Sequence, residues 1–187
     1  GVKQLTEDPF ADASDKIKKG EIVTGIVSNI EEGGIEVEVN GVKYYVGETA
    51  FTSVNEALAK ALDGAEIYIL AGTYEITELI NVDKAITFVG PNADKKVNDE
   101  RVEEAIFTSD NYNTGSFVPA AANITFNGLG FKGIGNAGYP IQAGEVLENF
   151  TIKSCYFEDV NTVLCSYGAT EFKGTLTITD TLNKNSL

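Results

Sequence analysis

A period of 26 residues constrains this chain more than any other feature. Residues 123–148 lie over 149–174 without gaps. Asn123 falls on Asn149, Thr125 on Thr151, Phe131 on Phe157, Ala143 on Ala169 and Glu145 on Glu171. Apolar positions coincide too: Ile124 with Phe150, Phe126 with Ile152, Leu129 with Cys155, Ile134 with Val160, Ala137 with Val163 and Val146 with Phe172. A third copy opens at Thr175, with Leu176 and Ile178 in phase, and drifts after about Asp180. Upstream, Ile86/Phe88 precede Ile124/Phe126 by 38 residues, one period plus an excess that the loop 91–104 can hold. Ile67/Ile69 precede Ile86/Phe88 by 19. Repeats of this length with several short strands each build solenoids. One coil cannot bury its own apolar side chains. The next coil, stacked in register, covers them and pairs its backbone in parallel ladders. Like-on-like columns follow, with Thr125/Thr151/Thr177 outside and Ile124/Phe150/Leu176 inside. About five coils fit the length, and a bare end coil is an aggregation-prone edge.

The N-terminal part differs. Residues 1–20 are polar and acidic and read as a leader or linker. Residues 21–50 read as an antiparallel β-meander appended to the cap, with strands at 21–30, 35–39 and 42–46. Glu31–Gly34 supplies one turn, and Asn40-Gly41 supplies the positive-φ pair of a two-residue hairpin. Ser53-Val54-Asn55-Glu56 has capping-box spacing. Val54, Ala57, Leu58, Ala61 and Leu62 then form one apolar stripe, ended by Asp63-Gly64. This predicts a helix over about 52–62 that caps a solenoid spanning 51–187. From Ala65 onward short strands alternate with Gly, Asn and Asp and carry no helical period, which excludes strands alternating with helices.

Composition narrows the chemistry. The chain has 28 acidic and 14 basic residues among 187, for a net charge of −14. Nucleic acid is an unsuitable partner, because a polyanion needs a basic face. There is no His, no Trp and a single Arg, Arg101. That removes His-based triads, His-ligated zinc and arginine clusters. No apolar run approaches the roughly 18 residues of a membrane span, so no membrane insertion is expected. Gly1 in place of Met reads as a processed or recombinant N-terminus. Two cysteines, Cys155 and Cys165, are too few for a disulfide framework or a zinc site. Abundant Asn, Thr, Gly and Tyr suit an extracellular or cell-surface setting.

The stretch Phe51–Leu58, then Asp63–Tyr74 ending in Gly72-Thr73-Tyr74, then Ile86–Asn92 ending in Gly90-Pro91-Asn92, resembles the opening of the pectin-lyase-like superfamily. Segments 123–133 and 149–160 resemble its generic coils. The likeness covers about 51–180 and implies an all-β fold, a short right-handed parallel β-helix with an N-terminal capping α-helix. It implies no activity by itself, because one scaffold hosts many functions. Enzymes of that superfamily act mainly on acidic polysaccharides, through calcium-bound carboxylates with an Arg or Lys base, or through clustered aspartates near a His. Neither set maps onto this chain, so no catalytic residue is assigned. Residues 16–46 also resemble, through Lys18-Lys19-Gly20-Glu21-Ile22-Val23, an S1-type RNA-binding barrel. They are too few to close five strands. Residues 1–50 carry ten acids against five bases, whereas an RNA groove is basic.

The site candidates are therefore residue types in loops and on outward positions. Tyr112, Tyr139, Tyr156 and Tyr167 could stack on sugar rings, with Lys153 beside them, or could sit at half-buried coil edges. Asp94, Asp99, Glu100, Glu158 and Asp159 are hard oxygen donors that could hold calcium, or could form solvated acidic turns. Arg101 is expected to form a salt bridge to Glu104 or to a neighbouring acid. Cys155, in phase with Leu129, is expected inside as a small hydrophobe. Asn123 and Asn149 are expected to form an inward ladder at a corner. The function expected is a non-catalytic secreted or cell-surface module for glycan binding, adhesion or scaffolding. The alternative is a divergent polysaccharide lyase or glycoside hydrolase. The last coil is expected to be covered by another domain or a second copy.

Overall fold

The structure, a computed structural model, describes residues 26–31, 34–38, 43–46, 51–110, 116–134, 139–166 and 171–185. Two compact units divide at position 42. In the first, β1 (Ile26–Glu31) and β2 (Gly34–Glu38) pair antiparallel, with Glu31 opposite Gly34. The hairpin of the predicted meander is present, but its third strand belongs elsewhere. β3 (Lys43–Val46) pairs in parallel with β4 (Ala65–Ile69), Tyr44 opposite Ile67 and Val46 opposite Ile69. β3 thus adds an edge strand to the parallel sheet that β4 begins. The leader 1–20 and the Asn40-Gly41 turn lie outside the described residues.

The second unit is an all-β parallel solenoid. After β4 come β5 (Gly72–Glu75), β6 (Ile80–Val82), β7 (Ile86–Val89), β8 (Ala105–Ser109) and β9 (Phe117–Pro119). Then follow β10 (Thr125–Asn127), β11 (Gly130–Ile134), β12 (Ile141–Ala143), β13 (Val146–Lys153), β14 (Tyr156–Glu158) and β15 (Leu164–Ser166). β16 (Glu171–Thr179) and β17 (Leu182–Lys184) complete the order. The coils stack these strands into three parallel sheets: β3-β4-β7-β10-β13-β16, β5-β8-β11-β14-β17 and β6-β9-β12-β15.

The predicted registers hold in part. Thr125 pairs with Thr151 and Phe126 with Ile152, and the longer interval sets Phe88 beside Phe126. The first interval is 21 residues, not 19, because Ile67 pairs with Phe88. A shift of two leaves every side chain on the same face, so alternation alone cannot detect it. In the third sheet Ile141 pairs with Leu164, an interval of 23. The corner after β14 is shorter, and the gapless repeat fails there. Cys165 therefore aligns with Gln142, not Tyr139. Phe172 aligns with Leu147, not Val146, and a bulge between Glu148 and Phe150 restores the 26-residue spacing. Beyond Asp180 the residue types change but the register persists, with Glu158 opposite Lys184.

Seven phenylalanines are fully buried inside the coils: Phe88, Phe107, Phe117, Phe126, Phe131, Phe150 and Phe157. Phe131 stacks on Phe157 at 5.0 Å with the planes 9° apart. Phe117 stands edge-on to Phe107, Phe126 and Phe131 from the third sheet. Burying each such ring contributes roughly 1.5–3 kcal/mol. Cys155 is fully buried beneath this column, and burial pushes its thiol up to about 12. Both cysteines are free thiols.

The cap helix α1 spans Val54–Lys60 and packs on β3 and β6. Ser53 is its N-cap, and the Ser53 side chain accepts from the Glu56 N–H at 3.2 Å. Glu56 reaches back to Thr52, accepting from its N–H and its hydroxyl. Val54, Ala57, Leu58 and Ala61 are buried as predicted, but Leu62 is exposed. Ala61 turns to extended backbone and takes Leu62 off the stripe. The Asn pair sits at an exposed corner instead of facing inward. Both residues adopt the left-handed conformation, and Asn149 Nδ2 donates to Asn123 Oδ1 at 3.1 Å. Asn149 Oδ1 accepts from the Thr175 N–H, so the ladder ends on backbone.

Candidate functional site

Parallel stacking writes the outer face of the six-stranded sheet as rows. Glu66, Thr87, Thr125, Thr151 and Thr177 share one row. Tyr68, Val89, Asn127, Lys153 and Thr179 share the next. Neighbours within a row stand about 4.8 Å apart, the strand spacing. The loop 91–104 brings Asp94 against these rows. Asp94 and the rows from β4 to β13, without Thr177 and Thr179 of β16, line an open groove of about 440 Å³.

The groove is pre-organised by its own bonds. Asp94 adopts a left-handed conformation at φ 61°. Its N–H donates to Asn127 Oδ1 at 2.9 Å. Lys153 Nζ donates to Asp94 Oδ1 at 2.6 Å, and this bond holds the Asp94 carboxyl below its ordinary range. Tyr68 donates its hydroxyl to Glu66 Oε2 at 2.9 Å. The result is a shelf of hydroxyls, one amide, one ring and one neutralised ion pair. Such a surface can both donate to and accept from a polar ligand.

The loop that carries Asp94 is clamped at both ends. Asn92, fully buried, exchanges two hydrogen bonds with the Val102 backbone, at 3.1 and 2.8 Å. Arg101 holds Glu104 through two nitrogens, at 2.5 and 3.1 Å, and donates a third bond to the Ser154 carbonyl. Arg101 is thus the predicted ion pair with Glu104, and it also anchors the loop to a later coil.

The sequence-derived candidates scatter over the molecule. Lys153 meets Asp94, and Tyr156 meets Glu158, but the two pairs lie on different sheets. Tyr156 lies half-buried on the five-stranded sheet, against Glu158. Tyr139 is half-buried ahead of β12, and its carbonyl accepts from the Ser116 hydroxyl. Tyr112 and Tyr167 lie outside the described residues. Glu158 stands in a row between Lys132 and Lys184, accepting at 2.9 and 2.5 Å. These bonds, Lys184 first, lower its pKa to about 2. Asp159 turns the chain after β14 at φ 53°. Asp99 Oδ2 accepts from the Lys96 N–H within the loop, and Glu100 is exposed beside it. The five calcium candidates thus occupy three separate places. Among the described residues, no group of three His, Cys, Asp or Glu side chains converges to hold a metal ion. Sequence reasoning missed Glu66, Tyr68 and Asn127. Alternation marks Glu66 and Tyr68 as outward, but the 19-residue register sets them beside Ala85 and Thr87, away from their true neighbours.

Comparison with known proteins adds a single local likeness. No family model matches the chain, and no solved structure matches it. A stretch of 44 residues, 24% of this chain, is 48% identical to the small ribosomal subunit protein bS1 of Rhodopseudomonas palustris, and it spans 8% of that protein.

Proposed function

We propose that the solenoid is a right-handed parallel β-helix of the pectin-lyase-like type that serves, without catalysis, as a neutral-glycan-binding module in adhesion or scaffolding at the cell surface or outside it. The fold type is supported by the position of the three motif segments. The capping-box helix is α1, Gly72-Thr73-Tyr74 begins β5, and Gly90-Pro91-Asn92 forms the corner after β7. The groove on the six-stranded sheet carries the ligand class. Its one ammonium is already neutralised by Asp94 at 2.6 Å, and Glu66 adds a carboxylate at the same face. An acidic polymer would approach these carboxylates and a chain of net charge −14, whereas neutral hydroxyls fit the Thr row and the Tyr68 ring.

A glycan array followed by calorimetric titration of the best neutral oligosaccharide tests this. Tyr68→Ala and Lys153→Ala are expected to weaken binding by about tenfold or more, or roughly 1.4 kcal/mol, with unchanged circular dichroism. An array without neutral-glycan binding overturns the reading. The alternative, a divergent lyase or hydrolase, draws on Asp94, Glu66 and Lys153 sharing one groove. Release of unsaturated or reducing sugar ends from pectic and uronic-acid polymers, assayed with and without calcium, would establish it and displace the non-catalytic reading.

The 44-residue likeness to bS1 favours a second reading, that the stretch it covers shares ancestry with an S1-type segment. Ten acids against five bases over residues 1–50 predict no RNA binding by this part of the chain. Fluorescence anisotropy with single-stranded RNA at physiological salt checks this, and saturable binding would reverse it.

A further inference from the structure

Rings stack along the inside of the five-stranded sheet, coil upon coil. Phe157, Phe131, Phe107 and Tyr74 follow one another at 5.0, 5.7 and 5.5 Å. The column ends at Tyr74, whose hydroxyl donates to the Leu70 carbonyl at 2.9 Å and fixes the ring. α1 packs on β3 and β6, and a cavity of about 250 Å³ remains between it and β5. Val54, Ile80, Tyr74 and Phe107 give this cavity an apolar floor. Its rim is polar. Asn55 Nδ2 donates to Glu78 Oε1 at 2.8 Å, which leaves Asn55 Oδ1 and Glu78 Oε2 as acceptors. Among the described residues β5 is the edge strand of its sheet. On the β8 side, the Gly72 and Ile76 N–H groups donate to the Glu104 and Thr108 carbonyls at 2.9 and 2.7 Å. Backbone groups alternate sides along a parallel strand, so the N–H and C=O of Thr73 and Glu75 point to the free edge. Both residues line the cavity.

We propose that this cavity is a second binding site, separate from the groove and independent of it, that takes one pyranose ring without an acidic group. Size sets the first limit. A dry cavity of about 150 Å³ holds one benzene ring, and drug-sized ligands need roughly 300–1,000 Å³. A single substituted six-membered ring lies between those bounds. The rim decides its chemistry. A sugar offers an apolar C–H face to the Tyr74 ring and a perimeter of hydroxyls that both donate and accept. Those hydroxyls can pair with the Thr73 and Glu75 backbone groups and with the Asn55–Glu78 acceptors. An aromatic ring with one polar group would cover the same groups and leave most of them unpaired, which opposes binding. The Glu75 and Glu78 carboxylates repel an acidic sugar.

Titration of methyl pyranosides, neutral and amino-substituted, into the isotope-labelled 187-residue chain tests this by nuclear magnetic resonance. At least one is expected to shift the Thr73 and Glu75 amide resonances saturably, and a methyl glucuronide is not. The same shifts are expected in Tyr68→Ala/Lys153→Ala, whose groove is disabled. Asn55→Ala/Glu78→Ala is expected to weaken them by about fivefold, the loss of one or two hydrogen bonds to the sugar. Asn55 is half-buried and Glu78 exposed, so the fold tolerates that change, and unchanged circular dichroism checks it. The proposal is overturned if no pyranoside moves Thr73 and Glu75, or if phenol or the glucuronide saturates them more tightly than every other sugar. Loss of the shifts in Tyr68→Ala/Lys153→Ala, or an unchanged affinity in Asn55→Ala/Glu78→Ala, overturns it as well. An array without a ligand for the groove, with these shifts intact, removes the groove reading and leaves this site standing.

Discussion

Gly128 shows how one residue fixes a loop. It follows Asn127 at φ 74°, a conformation costly for any residue with a Cβ. A Cβ there would fall 2.0 Å from the Ala93 nitrogen, in the corner that presents Asp94. Gly128→Ala is expected to destabilise the chain by more than about 1 kcal/mol, with part of the loss in the 91–104 loop. Chemical denaturation gives the total. Calorimetry of glycan binding shows whether the groove is lost with it. Glu158 gives a pH signature. Its folded pKa of about 2 lies below the ordinary 4.5, so the carboxylate stabilises the fold fully above about pH 4.5. That contribution fades as the pH falls toward 2. Glu158→Gln is expected to melt lower than wild type at neutral pH and to show a shallower fall of Tm under acid. Parallel Tm curves for the two proteins would remove the Lys132–Glu158–Lys184 row as a source of acid sensitivity.

At the scale of elements, short strands are held by what stacks above and below them. β11 is only five residues long, yet its Phe131 lies between Phe107 and Phe157, at 5.7 and 5.0 Å. Phe131→Ala leaves a cavity bounded by two rigid coils that cannot collapse into it. A loss of about 3–5 kcal/mol is expected from urea unfolding. A loss below about 1 kcal/mol would mean that the column does not bind the coils together. The strands with strong alternation, β4, β7, β8 and β13, are visible in the sequence. The three-residue strands β6, β9, β12 and β15 are not, because three residues carry too little alternation by themselves, whereas β10, equally short, is marked by the 26-residue repeat. α1 was legible through Ser53 and Glu56, which fix a helix start by local hydrogen bonds alone.

At the scale of the whole molecule, stability passes from coil to coil by nearest-neighbour contact. A central coil is covered twice and an end coil once. Amide exchange is expected to be slowest in β7, β10 and β13 and fastest in β16 and β17. Uniform exchange across all coils would show that the solenoid unfolds as one unit instead. The proposed glycan site draws on the same architecture, since the groove exists only where several coils align their outer rows.

The chain's own order of residues determined that it winds into a parallel solenoid, which faces are apolar and where the cap helix begins. Those properties arise from local hydrogen bonding and from a period that any stacked coil must satisfy. The tertiary structure decided which residues become neighbours. A two-residue shift between β4 and β7 preserves every face, and a shortened corner after β14 slips the third sheet by three. Neither leaves a mark in the alternation. The same holds for Asp94, Asn127 and Lys153, which meet only because a loop folds back across two later coils. Convergence over that distance is set by packing and corner length, which no local pattern encodes.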